Sequence, residues 1–112
     1  TDPQFLQIIL SNLIENGLKY SPTSCKLRIV ARPFTADHHP HIRITIANPV
    51  QQDLAPDPQS VFQRFYRHPL AQKTRGSGLG LYICKELCTL LGGQIEYQYI
   101  NNEAIFVIEL PQ

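Results

Sequence analysis

No stretch of this 112-residue sequence approaches the roughly 20 consecutive apolar residues that a membrane-spanning helix needs. No signal-peptide pattern opens it either. An excess of charge of one sign is equally lacking, since the formal net charge is only +1. That excludes a broad basic field able to recruit nucleic acid or an anionic membrane, so any phosphate binding has to come from a local site. Cysteine is sparse and odd in number: Cys25, Cys84 and Cys88. Three cysteines without metal-like spacing argue against a disulfide framework and fit a reducing, cytoplasmic compartment. Cys84 and Cys88 are four apart in a helix-like segment and read as small buried hydrophobes. There are no internal repeats and no linker. The length suffices for one core but not two.

What is present is the make-up of a globular domain, with 43% hydrophobic and 17% charged residues. Residues 3 to 19 read as a helix. Asp2 is an acceptable N-cap, Pro3 suits the first turn, and Leu6, Ile9, Leu10, Leu13 and Gly17 share one side. Ser21-Pro22 ends it. Two strands follow, with Leu27, Ile29 and Ala31 alternating in the first and Ile42, Ile44 and Ile46 in the second. The polar segment from Thr35 to Pro40 connects them. His38, His39 and His41 beside Asp37 invite comparison with a metal cluster, but adjacent histidines in a short turn diverge, and a solvated loop is the better reading.

Residues 49 to 60 are rich in Pro, Gln and Asp and form a loop. Val61 to Arg67 is a short amphipathic piece, and residues 68 to 75 are polar. The glycine cluster from Gly76 to Gly80 leads into a second helix, about residues 79 to 91, which Gly92-Gly93 ends. Two alternating strands close the chain, with Ile95, Tyr97 and Tyr99 on one face, Phe106, Ile108 and Leu110 on another, and Asn101-Asn102 between them. Hairpin-like strand pairs with segregated helices predict an α+β fold, a two-layer sandwich rather than a doubly wound parallel sheet.

Two segments carry the chemistry. On the first helix Asn12, Asn16 and Lys19 lie within roughly 60° of arc, with Glu15 at the edge. An amide oxygen together with substrate phosphates suits hydrated Mg²⁺, and Lys19 supplies a point charge for phosphate. Taken alone, the row reads as an ordinary solvated helix face. Gly76, Gly78 and Gly80 precede a helix whose N-terminal N–H groups attract anions, and glycine lets that backbone approach closely. Taken alone, this reads as a flexible loop before a helix. Leu81 breaks the dinucleotide fingerprint, and the Lys-Ser/Thr pair of a P-loop is missing.

In combination the segments resemble, over nearly the whole chain, the catalytic ATP-binding domain of sensor histidine kinases. That domain belongs to the superfamily of type II topoisomerases, mismatch-repair ATPases and heat-shock chaperones. Leu10 to Pro22 looks like the N box, Val61 to Arg67 resembles the F box, and Gly76 to Ile83 matches the G2 box. The order and distances of the three also fit. The resemblance implies a Bergerat-type fold, a mixed sheet covered on one face by helices. It also implies ATP and Mg²⁺ as ligands. Asn16 would coordinate the metal, Asn12 would support the phosphate end, Lys19 would pair with phosphate, and Tyr20 would lie against adenine or ribose. Arg64 and Arg67 would border a lid over residues 68 to 75. Gly76, Ser77, Gly78, Leu79 and Gly80 would cradle the triphosphate. Phe62 and Phe65 would anchor the lid's base or serve as plain core aromatics.

One box departs from the pattern. Where the family carries Asp-x-Gly-x-Gly, this chain has Asn48-Pro49-Val50-Gln51-Gln52. Asn48 can still accept from an adenine amino group, without the charge. Val50 and Gln52 make any positive φ costly. Gly17 stands where alanine is common, at about 1 kcal/mol to the helix. Two readings stay open: Asn48 is a working substitute, or the domain is a non-nucleotide-binding interaction module with the same fold. The intact N and G2 boxes favour the first. The resemblance further implies transfer of the γ-phosphoryl to a histidine on a separate helical dimerisation domain of a homodimeric parent, then to a response regulator. Neither nucleic acid nor direct membrane contact is expected of this domain, although the parent can be membrane-anchored. None of the chain's own histidines has an acceptor setting. The chain opens at the N-box helix, whereas the family has more sheet before it, so one sheet edge is expected to be less covered.

Overall fold

The computed structural model describes residues 1–20 (Lys19 and Tyr20 by backbone alone), 27–51, 55–63 and 80–112. The elements run α1 (Pro3–Tyr20), β1 (Arg28–Ala36), β2 (His39–Pro49), α2 (Gly80–Leu90), β3 (Gln94–Ile100) and β4 (Glu103–Pro111). The strands form one sheet in the order β1-β2-β4-β3, and the two helices pack on one face of it. This is the two-layer α+β sandwich that the alternation predicts. Every pairing among the described strands is antiparallel, so the mixed character expected of the sheet is not seen among them.

Local chemistry sets the boundaries. The Asp2 carboxylate accepts from the N–H groups of Gln4 at 2.8 Å and Phe5 at 3.3 Å, capping the orphan donors of α1, with Pro3 in the first turn. The connection between β1 and β2 is tighter than the six polar residues suggest. Asp37 and His38 both take positive φ, 52° and 64°, so the chain reverses in two residues and the strands extend to meet them. Asn101 and Asn102 do the same between β3 and β4, at 53° and 61°. Asparagine bears that conformation better than most residues.

The end of α2 needs both of its glycines. Gly93 N–H donates to the Cys88 carbonyl at 2.8 Å and Gly92 N–H to that of Thr89 at 3.0 Å, the paired bonds of a Schellman cap. Gly92 has φ of 81°. Gly93 is required for room, because a β-carbon there would fall on the carbonyl oxygen of Glu109.

The core lies between helices and sheet. Ile9 and Leu13 of α1 and Cys84 and Cys88 of α2 pack with Ile44, Ile46, Ile95, Phe106, Ile108 and Leu110 of the strands. On the opposite face polar pairs cross the strands, Arg43 to Glu109 at 3.1 Å and Arg28 to Glu103 at 3.0 Å. A polar outer surface is normal for an antiparallel sheet covered on one side. At the β1 edge Ile29 and Val30 are exposed.

Candidate functional site: the cleft between α1, α2 and the end of β2

Ile9, Leu13 and Gly17 repeat every four residues and form the buried seam of α1. Asn12 and Asn16 flank that seam, half-buried rather than free in solvent. Asn12 reaches the start of α2. A β-carbon on Gly80 would sit 3.5 Å from Asn12 Oδ1, so the first residue of α2 lies directly against this amide. One turn on, the Asn12 side chain hydrogen-bonds the Cys84 thiol. The thiol's own proton goes to the Ile9 carbonyl at 3.5 Å. The contact with Asn12 is therefore one in which Nδ2 donates, which leaves Oδ1 on the Gly80 side.

Burial pushes the Cys84 thiol up to about 12, helped by the neighbouring Cys88 and opposed by the Asn12 bond. Burial likewise raises Cys88 to about 11. Both stay neutral and unreactive at ordinary pH. The reading of this pair as small buried hydrophobes holds, with an addition that the sequence does not announce: Cys84 ties α2 to Asn12. Cys25 lies outside the described residues.

Asn48 is 2% exposed and is the buried polar residue among those described. The strand alternation puts it on the helix side with Ile44 and Ile46, and small Ala104 stands opposite it on β4. Above it is Gly17, where a β-carbon would be 3.6 Å from the Asn48 amide carbon and 2.7 Å from Leu27 Cδ2. A glycine that looks like a blemish in the helix thus gives α1 its close approach to Asn48 and Leu27.

Val50, which stands in a glycine position of the family pattern, takes no positive φ. Its N–H donates to the Asn102 carbonyl at 3.0 Å, and its carbonyl accepts from the Tyr99 hydroxyl at 2.8 Å. At Val50 the chain therefore follows an ordinary backbone path, pinned to the β3–β4 turn. Tyr97 repeats the device one step along by donating to the Pro56 carbonyl at 3.0 Å. Their alternation on β3 is legible in the sequence, but their hydroxyl partners are not.

Phe62 packs edge-on against Phe106 at 6.1 Å, on the margin of the core, with Lys85 Nζ 5.8 Å from its ring centre. The histidine segment behaves as a solvated turn. His41 lies 5.2 Å from the Phe34 ring, and its Nδ1 is 3.0 Å from the His39 carbonyl oxygen. No group of three metal-ligating side chains occurs among the described residues.

Of the candidate residues, then, Asn12 meets Gly80 at the start of α2, Asn48 lies buried beneath Gly17 of α1, and Asn16 is half-buried on α1. Lys19 and Tyr20 end α1, with only their backbone described. Arg64, Phe65, Arg67, Gly76, Ser77, Gly78, Leu79, Gln52 and the lid segment lie outside the described residues.

Two helices packed together on one face of an antiparallel sheet, with the start of one against the Asn12 amide of the other, define a class. The model of the histidine kinase-, DNA gyrase B- and HSP90-like ATPases matches residues 1–112, and the chain belongs to that family. Within it the similarity is to sensor histidine kinases. The chain is 36% identical over 111 residues to the sensor histidine kinase HprS of Escherichia coli (strain K12), covering 99% of this chain and 24% of that protein. It is 38% identical over 114 residues to the signal transduction histidine-protein kinase AfsQ2 of Streptomyces coelicolor, covering 99% and 20%. The chain thus spans a quarter or less of the curated relatives' length. Among solved structures it resembles the mycobacterial sensor histidine kinase MprB with a TM-score of 0.75 at 29% identity, covering 99% of this chain and 74% of that one. The nucleotide-free catalytic domain of histidine kinase ThkA shares the fold, with a TM-score of 0.74 at 23% identity, covering 99% and 69%. No helix among the described residues is long and apolar enough to cross a membrane.

Proposed function

We propose that this domain binds MgATP in the cleft and presents its γ-phosphoryl to a histidine on a separate dimerisation domain, in cytoplasmic two-component signalling. The observation that carries the reading is the approach of Asn12 to Gly80, which brings one amide of α1 against the first residue of α2. The residues fit a metal–nucleotide. Half-buried amide oxygens suit a hard cation that shares its shell with phosphate, and the first N–H groups of α2 suit the phosphates themselves. Asn16 would hold the metal, and Asn12 would steady the phosphate end. Lys19, Arg64 and Arg67 would pair with phosphate, Tyr20 would lie on the base or ribose, and residues 76 to 80 would cradle the triphosphate. When bound, Mg²⁺ neutralises charge on the phosphate oxygens.

In the reaction an imidazole nitrogen of the acceptor forms a bond to the γ-phosphorus as the bond to the β-phosphate oxygen breaks and ADP leaves. Positioning and charge are most of what such a transfer asks of a protein. A response regulator would then receive the phosphoryl group. The acceptor domain and a homodimeric parent belong to this proposal.

The test is a calorimetric titration of the chain with ATP, with and without Mg²⁺. Saturable, Mg²⁺-enhanced binding is expected. Asn16→Ala should erase most of the Mg²⁺ enhancement, weakening MgATP by about tenfold, or about 1.4 kcal/mol. Absence of saturable binding by the unmodified chain would instead mark an interaction module that kept the fold and lost the nucleotide.

A further inference from the structure

Cys84 is fully buried, and the proposed reaction makes no use of it. Ile9 and Asn12 stand one turn apart on α1, and Gly80 and Cys84 one turn apart on α2. The thiol gives its proton to the Ile9 carbonyl at 3.5 Å, and the Asn12 side chain hydrogen-bonds the same thiol. With its own proton committed to Ile9, the sulfur can only accept from Asn12, so the amide nitrogen is the donor. The other end of the amide agrees. Oδ1 is the Asn12 atom nearest to the place of a Gly80 β-carbon, at 3.5 Å. An oxygen suits the beginning of a helix, whose first N–H groups have no acceptor within the helix, whereas an NH₂ group there would set donors against donors. Turning the amide over would lose the bond to sulfur at one end and oppose like groups at the other.

We propose that Cys84 is a positioning residue of the nucleotide site: its thiol fixes the Asn12 carboxamide with Oδ1 toward the start of α2, so that this part of the site is set before nucleotide arrives. The inference rests on the reading that MgATP binds beside Asn12. A side chain that is free to turn has to be ordered by the ligand, and that cost is taken from the affinity. A side chain already held by the protein spares the ligand the cost. The thiol does not touch the nucleotide and acts through Asn12 alone. Alanine at position 84 would suit the helix at least as well as cysteine, but it offers the amide no acceptor.

The experiment is isothermal titration calorimetry of MgATP with the unmodified chain, Cys84→Ala, Cys84→Ser, Asn12→Ala and the Asn12→Ala/Cys84→Ala double variant. Cys84→Ala should weaken MgATP by about fivefold, and Cys84→Ser, which keeps a donor for Ile9 and an acceptor for Asn12, should stay within about twofold of the unmodified chain. In the Asn12→Ala background Cys84→Ala should change nothing further, because the residue through which the thiol acts is gone. A folded Cys84→Ala chain that binds as tightly as the unmodified one overturns the proposal. So do losses that add in the double variant, which would mark helix packing alone. If the variants do not fold, NMR relaxation of the Asn12 side-chain amide in the unmodified, nucleotide-free chain decides instead. That amide should be as rigid as the α1 backbone, and one as mobile as the exposed Asn101 overturns the proposal. If the unmodified chain binds no MgATP, the nucleotide reading falls and the thiol's part in it falls too. If it binds and Cys84→Ala matches it, only the thiol's part falls.

Discussion

At the scale of single residues, burial decides what each polar group can do. Cys84 and Cys88 sit in the seam between α1 and α2, and their thiols are raised to about 12 and about 11 from an ordinary value of 9. The unfolded chain loses those protons first as pH rises past 9, whereas the native state keeps them. The native state then binds more protons than the unfolded one, so stability is intact below pH 9 and declines between 9 and about 11 to 12. Urea midpoints measured across that window should fall, and less steeply in a Cys84→Ala/Cys88→Ala variant. An equal slope in the two proteins would mean that the thiols are not protected. A colorimetric disulfide reagent at pH 8 should likewise reach Cys84 and Cys88 only on unfolding. The sequence shows two cysteines at helical spacing but not the bond from Asn12 to Cys84. The Cys84 thiol also donates to the Ile9 carbonyl, 75 positions away, and local patterning holds no record of such distances. The burial of Asn48 is hidden for the same reason.

Elements were more legible, because their boundaries are written in short-range chemistry. Asp2-Pro3 predicts the start of α1 and Asn101-Asn102 the β3–β4 turn, and both are found there. Gly92-Gly93 predicts the end of α2, but the sequence does not say that the two glycines serve different needs. Gly92→Ala should cost about 1–2 kcal/mol, the penalty of a left-handed residue. Gly93→Ala should cost more, about 3 kcal/mol, since the added carbon meets β4 backbone that cannot move aside. Chemical denaturation would rank them, and the reverse order would contradict the close approach. Asp2→Ala should cost about 1 kcal/mol by exposing the first amides of α1. The β1–β2 connection is shorter than its polar composition suggests. A polar composition marks a turn, but its length depends on which residues accept positive φ, and here Asp37 and His38 both do.

For the whole molecule, family membership and fold agree with the order of boxes along the chain. The lid and most of the glycine cluster lie outside the described residues, so the roles of Arg64, Arg67 and Gly76 to Leu79 rest on the resemblance. The proposal that the acceptor histidine belongs to another domain has a direct consequence. Incubated alone with MgATP, the chain should keep its intact mass, with no phosphoryl group appearing on His38, His39, His41 or His68. The central claim is that Asn12, Asn16, Asn48 and Gly80 surround one metal–nucleotide between α1, α2 and the end of β2. An amide-detected NMR titration with MgATP reads this most directly, because the three side-chain amides and the Gly80 N–H each give a signal. The account predicts that these four shift together along one saturable curve, while the Asp37-His38 turn stays still. Shifts confined to the outer sheet face, or a curve on which Asn48 and Asn12 part company, would contradict it.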